Sequence, residues 1–210
     1  MPETEIIDML ILRSSPASPF ARKVRIAISV LGLGGKIEIR DTDLNSESDS
    51  IREQNPLGKV PTLIAEDGTA YCDSRVILEY LDHLAGGGRI VPRADDERLR
   101  ALRLQALCDG IAEASLLIVY ESRYRPAEMK VQSWIDRQAE KVARGLAALE
   151  RAPPALTQPP DVGQIALACA LGYRDLRFAG SWRKDHPRLV GWLDRFAAAV
   201  SAFEATKVAA

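Results

Sequence analysis

The chain has 210 residues, more than a typical single domain of roughly 100–150, and its 47% apolar content can fill one large core or two smaller ones. Lys and Arg total 28 against 29 Asp and Glu, so no net field draws the protein toward nucleic acid or an anionic membrane surface; a small substrate of mixed charge fits better. Three cysteines, Cys72, Cys108 and Cys169, lack CxxC spacing and a clustered His partner, so neither structural disulfides nor a metal site is expected.

The acidic Met-Pro-Glu-Thr-Glu start has no basic region and no adequate apolar stretch of a secretory signal behind it, which leads to the expectation of a cytoplasmic protein. Residues 9–12 form a short apolar run. A serine- and proline-rich loop over 14–19 follows, then helix-compatible residues 20–31: strand, loop, helix. Residues 36–41 alternate Ile37 and Ile39 with charge like a half-buried strand, and 45–54 are polar with weak helical character. Residues 60–65 and 70–72 flank an Asp67-Gly68 turn and should pair antiparallel. From Ser74, the residues Ile77, Leu78, Leu81 and Leu84 repeat at helical spacing.

Gly86-Gly87-Gly88 stops that helix, and glycine, proline and charge continue to residue 96. The expected division is an α/β domain over 1–84, a linker over 85–94 and an all-helical domain over 95–210, with helices at 95–124, 127–152, 161–176 and 187–204. The longest uncharged stretch, 162–173, is shorter than the roughly 18 residues of a membrane span and reads as a buried helix. Asp161 should cap that helix, with Gln164 at the reciprocal position of a capping box.

A β-α-β-β-β-α-type unit ahead of a helical domain resembles the layout of cytosolic glutathione transferases. Three motifs resemble that family's glutathione-site landmarks in their usual order: Ser18-Pro19-Phe20-Ala21-Arg22-Lys23, Asn55-Pro56-Leu57-Gly58-Lys59-Val60-Pro61, and Asp73-Ser74. The stretches 106–111 and 165–173 are similar to a bacterial subgroup of YibF-type transferase-like proteins. The resemblance implies a thioredoxin-like first domain, a helical transferase second domain, glutathione as co-substrate, a small electrophile as second substrate, and a homodimer engaged in detoxification.

Glutathione carries a thiol, two carboxylates and an ammonium group. Ser18 precedes Pro19, a residue favoured at the first helical position, so Ser18 is expected at the N-cap, where a thiolate meets a hydroxyl and unpaired N–H groups. Bringing a thiol of pKa about 8.5 below 7 takes roughly 2 kcal/mol, within reach of a charge-assisted hydrogen bond plus the helix dipole. Ser15 is the rival donor in the same loop. The family's redox-active members resemble this pattern with cysteine at the position of Ser18; serine favours conjugation or binding over thiol-disulfide exchange.

The resemblance further implies a cis Val60-Pro61 turn that pairs with the cysteinyl backbone, with Phe20 and Lys59 in the same glutathione site. Ser74 is expected to receive the γ-glutamyl carboxylate and Asp73 to approach its ammonium group. Many relatives place a basic residue after the second strand, but residues 45–50 here carry none, so the glycine carboxylate is left to Lys59, to a more distant basic residue, or to solvent. Leu107, Ile111, Ser115 and Tyr124 are the expected electrophile pocket. Arg22, Lys23 and Arg25 read as a solvated helix face, Cys72 and Cys108 as small core residues, and His83 and His186 as uninvolved in catalysis. Two other uses of the fold stand beside conjugation: a non-catalytic regulator that binds a protein partner, and a glutathione-dependent peroxidase or dehalogenase.

Overall fold

A computed structural model describes residues 9–208; the acidic segment at the chain start lies outside them. The first part runs β1 (Leu10–Ser14), α1 (Pro19–Leu31), β2 (Ile37–Asp41), α2 (Ile51–Gln54), β3 (Thr62–Ile64), β4 (Ala70–Tyr71) and α3 (Ser74–Leu84). The sheet order is β2-β1-β3-β4. β1 and β2 are parallel because α1 carries the chain across, whereas the tight Asp67-Gly68 turn makes β3 and β4 antiparallel. β1 lies inside the sheet and is buried along its whole length.

The helical part comprises α4 (Asp95–Tyr124), α5 (Gln132–Arg151), α6 (Val162–Phe178), α7 (Pro187–Ala199) and the one-turn α8 (Ala202–Ala205). The expected helix from residue 127 starts later. Pro126 leads into a single 3-10 turn, and the Glu121 carboxylate accepts from the Val131 N–H at 3.0 Å just before α5. The helix expected over 187–204 is interrupted at Val200, whose φ of −127° leaves helical space.

Every residue from Val162 to Tyr173 is buried, so α6 is the axis around which α1, α4 and α7 pack. The close crossing of α4 and α6 depends on Gly163, where a Cβ would stand 2.6 Å from the Ala101 carbonyl oxygen. Asp161 caps α6 by accepting from the Gln164 N–H at 2.9 Å. The reciprocal half of the capping box is not made. Gln164 turns its amide to the Ala155 carbonyl and takes the Thr157 N–H, bracing the proline-rich turn instead.

The segment after α3 is no loose tether. The buried Asp82 carboxylate accepts from the N–H groups of Gly88, Arg89 and Ile90 at 2.6, 2.9 and 2.8 Å. Gly86, Gly87 and Gly88 all have positive φ, which lets the backbone fold back over that carboxylate. Ile90 and Val91 then enter the core, and Ile90 accepts the Val162 N–H at 2.9 Å.

Candidate functional site

Strand register brings the three motifs to one end of the sheet. In β1 and β3, Arg13 faces Thr62; extending that antiparallel pairing sets Ser14 opposite Pro61 and Ser15 opposite Val60. In β3 and β4, Leu63 faces Tyr71, and extension sets Asp73 beside Pro61. The loop into α1, the Val60-Pro61 turn and the start of α3 therefore share an edge, although together they span more than 50 residues of chain.

Ser18 is the N-cap of α1. Its backbone is extended, its Oγ accepts from the Ala21 N–H at 3.2 Å, and Pro19 occupies the first turn. Accepting uses a lone pair and leaves the hydroxyl proton free to donate. Ser15 does a different job, accepting the Ser18 N–H at its carbonyl at 3.1 Å and closing the loop.

Val60-Pro61 is cis, and Val60 makes no backbone hydrogen bond among the described residues. The turn is built by Asn55, whose side-chain amide donates to the Lys59 carbonyl and to Thr62 Oγ1 while its oxygen accepts the Leu57 N–H. Gly58, with φ of 57°, completes it. Lys59 projects outward and is exposed, and Phe20 is half-buried with Lys23 Nζ 5.8 Å from its ring.

Asp73 caps α3, accepting from the Arg75 N–H at 2.9 Å and from the Ser74 hydroxyl at 3.1 Å. Ser74 is buried at the first turn of that helix. The polar segment over 45–50 is occupied with Arg13, whose guanidinium binds Asp49 at 2.5 Å, Ser50 at 3.0 Å and Gln54 at 2.6 Å. That arginine is thereby committed to the loop.

The supposed solvated face of α1 is buried. Lys23 is 1% exposed and Arg22 8%. Lys23 Nζ donates to Asp109 Oδ1 of α4 at 2.7 Å, and Arg75 Nε donates to Asp109 Oδ2 at 2.8 Å, so one carboxylate ties α1, α3 and α4 together behind the site. Arg25 is partly buried and donates to the Pro16 carbonyl at 2.9 Å, steadying the Ser18 loop. A basic run on a helix looks solvent-facing in one dimension; Asp109, far along the chain, is what covers it. Cys72 also departs from expectation and is exposed, because it follows the short edge strand β4, whereas Cys108 and Cys169 are buried. Burial raises the Cys108 thiol well above its ordinary value and Cys169 to about 11.

A cavity of about 370 Å³ opens beside Ser18. Its walls are the Ser18 loop, Arg22, Gly172 and Tyr173 of α6, and Phe203 and Lys207 at the chain's far end. Leu107, Ile111, Ser115 and Tyr124 are not among its lining residues. Ile111 packs against Gly145 of α5, and Ser115 is fully buried with its hydroxyl on the Ile111 carbonyl. Leu107 and Tyr124 are exposed, Tyr124 edge-on to Tyr120. Helical spacing finds the apolar face of α4 but not the element that faces it. No group of three or more metal-binding side chains occurs among the described residues, and no helix there is long and apolar enough to cross a membrane.

Comparison with known proteins agrees with this layout. Residues 12–89 match the model of the glutathione S-transferase N-terminal domain, and residues 132–195 that of the C-terminal domain. The chain is 36% identical over 183 residues to the uncharacterized GST-like protein YibF of Escherichia coli K12, covering 85% of this chain and 89% of that one. A glutathione transferase family member from Pseudomonas fluorescens Pf-5, crystallised with glutathione, superposes with a TM-score of 0.88 at 37% identity, covering 96% of this chain and 100% of that one. A family member from the same strain with bound S-(propanoic acid)-glutathione superposes at 0.85, also at 37% identity, over 95% and 100% of the two chains. The chain belongs to the glutathione S-transferase family. Its fold is a small thioredoxin-like region joined to a large helical domain.

Proposed function

We propose that this protein binds glutathione at the shared edge and transfers its thiolate to a small electrophile seated in the adjoining cavity, the first part acting as a glutathione domain over 1–84 and the helical part, over 95–210, as the acceptor domain. The observation that carries the reading is Ser18: an N-cap hydroxyl with its proton free, at the mouth of a cavity and at the edge where Val60 leaves its backbone groups unpaired. Ser18 donates to the sulfur and the helix end adds its dipole, so the thiolate is favoured over the thiol. Ser18 ranks ahead of Ser15 because Ser15 does not line the cavity. The thiolate lone pair forms the new C–S bond, and with an aryl halide the halide leaves with the bonding pair. Holding both reactants in the cavity supplies proximity.

Val60 pairs with the cysteinyl backbone, and Ser74 at the start of α3 receives the γ-glutamyl carboxylate, with Asp73 near the ammonium group. The glutathione and S-(propanoic acid)-glutathione found in the Pseudomonas family members support both halves of the reading: a glutathione site and room at the sulfur for an added group.

The test is conjugation of a generic aryl halide together with spectroscopic titration of the bound thiol. Losing a charge-assisted hydrogen bond worth roughly 1.5–3 kcal/mol should cost Ser18→Ala about 10- to 100-fold in kcat/KM and raise the bound thiol's pKa. Equal activity and equal thiol ionisation in the two proteins would remove Ser18 from the mechanism.

A further inference from the structure

The cavity beside Ser18 is lined by a buried cation, Arg22, that has no ion-pair partner among the described residues. Arg22 is one helical turn after Ser18, and both residues line the cavity. Nε donates to Thr206 Oγ1 at 3.2 Å and Nη2 to the Phe203 carbonyl at 2.5 Å, with the guanidinium carbon 4.3 Å from the centre of the Phe203 ring. These contacts fix its direction. Nη1 has no acceptor among the described residues and lies against Gly172, where a Cβ would be only 2.5 Å away. The absent side chain at residue 172 is what gives the guanidinium its place on the cavity wall.

The surrounding carboxylates do not pair with it. Asp175 is held by Trp182 Nε1 at 2.8 Å and by Arg183 Nε and Nη2 at 2.9 and 2.6 Å. Glu204 meets Lys207 at 3.4 Å, and Asp194 is exposed to water. Burial lowers the Arg22 pKa from its ordinary value, and Glu204 and Asp175 oppose that shift through space without forming an ion pair with it. The contacts to Thr206, the Phe203 carbonyl and the ring are neutral, and none supplies the missing negative charge.

We propose that the second substrate of this protein is an electrophile bearing a carboxylate or similar anionic group, which Arg22 binds while the electrophilic carbon faces the sulfur. The inference rests on the conjugation reading above and narrows its acceptor class. With an unsaturated acid the thiolate pair forms the C–S bond, the alkene π pair moves to the neighbouring carbon, and that carbon takes a proton from water. With a halogenated acid the halide leaves with its bonding pair.

The test compares conjugates that differ only in charge: S-(2-carboxyethyl)glutathione against its terminal amide, and the longer S-(4-carboxybenzyl)glutathione against its amide, each titrated calorimetrically into the wild-type protein, with glutathione alone as reference. At least one acid should bind tenfold or more tighter than its amide. In Arg22→Gln that ratio should fall to within about twofold of unity, and in Arg22→Lys it should be partly kept. Equal binding of acid and amide in both pairs, with glutathione itself still binding, would overturn this inference alone and leave Arg22 as a staple for the chain's C-terminal end. Absence of glutathione binding would overturn the conjugation reading and this one with it. The wild-type comparison stands even if an Arg22 variant fails to fold.

Discussion

At the residue scale, the site depends on side chains whose neighbours come from distant parts of the chain. Ser18 was legible because its role is local: serine before proline at a helix start has few other uses. Arg22 and Lys23 were not, since no spacing rule announces that Phe203 or Asp109 will close over them. The cysteines give a direct check on burial. Cys108 and Cys169 are enclosed and have raised thiol pKa values, Cys169 at about 11, so neither is a thiolate near neutral pH. Iodoacetamide at pH 8 should label Cys72 readily and the other two only after denaturation, read by mass spectrometry. Rapid labelling of Cys169 in the native protein would show that the α1–α6 contact opens.

At the element scale, α6 is the most constrained helix. It is buried through Tyr173, and Gly163 touches the α4 backbone so closely that a methyl group must push the two helices apart. Gly163→Ala should destabilise the protein by roughly 1–3 kcal/mol, seen as a lower urea midpoint with little change in slope. Asp161→Ala removes the cap and should cost about 1 kcal/mol by the same measurement. That cap was readable from Asp161 alone, whereas the partner of Gln164 was not, because the loop at residues 155–157 competes for its amide. The triglycine after α3 stops the helix, as its composition predicts. Its second role, wrapping the Asp82 carboxylate, needs three-dimensional proximity that composition does not encode.

At the scale of the whole molecule, the sheet-bearing and helical parts are joined by charge as well as by apolar packing. Asp109 binds a fully buried lysine from α1 and an arginine from the first turn of α3. Removing the carboxylate leaves Lys23 without its partner, so Asp109→Ala should cost about 3–5 kcal/mol in chemical denaturation. It should also weaken glutathione binding, because α1 and α3 carry Ser18 and Ser74. A variant with unchanged stability and unchanged glutathione affinity would show that the apolar contacts between α1 and α6 hold the two parts by themselves.

The sequence by itself determined the order and type of most elements, the cap of α1, the turn at Asp67-Gly68 and the three motifs that meet at one edge of the sheet. All of these are set by interactions among residues close along the chain, or by motifs that resemble a known family. Only the tertiary structure decided which face of each helix meets another. It buried the basic run of α1 under Asp109 and Phe203, opened a cavity at the junction of α1, α6 and α8, and exposed Cys72. The physical reason is that burial and charge pairing are properties of surfaces brought together by packing, and a helical period specifies a face without specifying its partner.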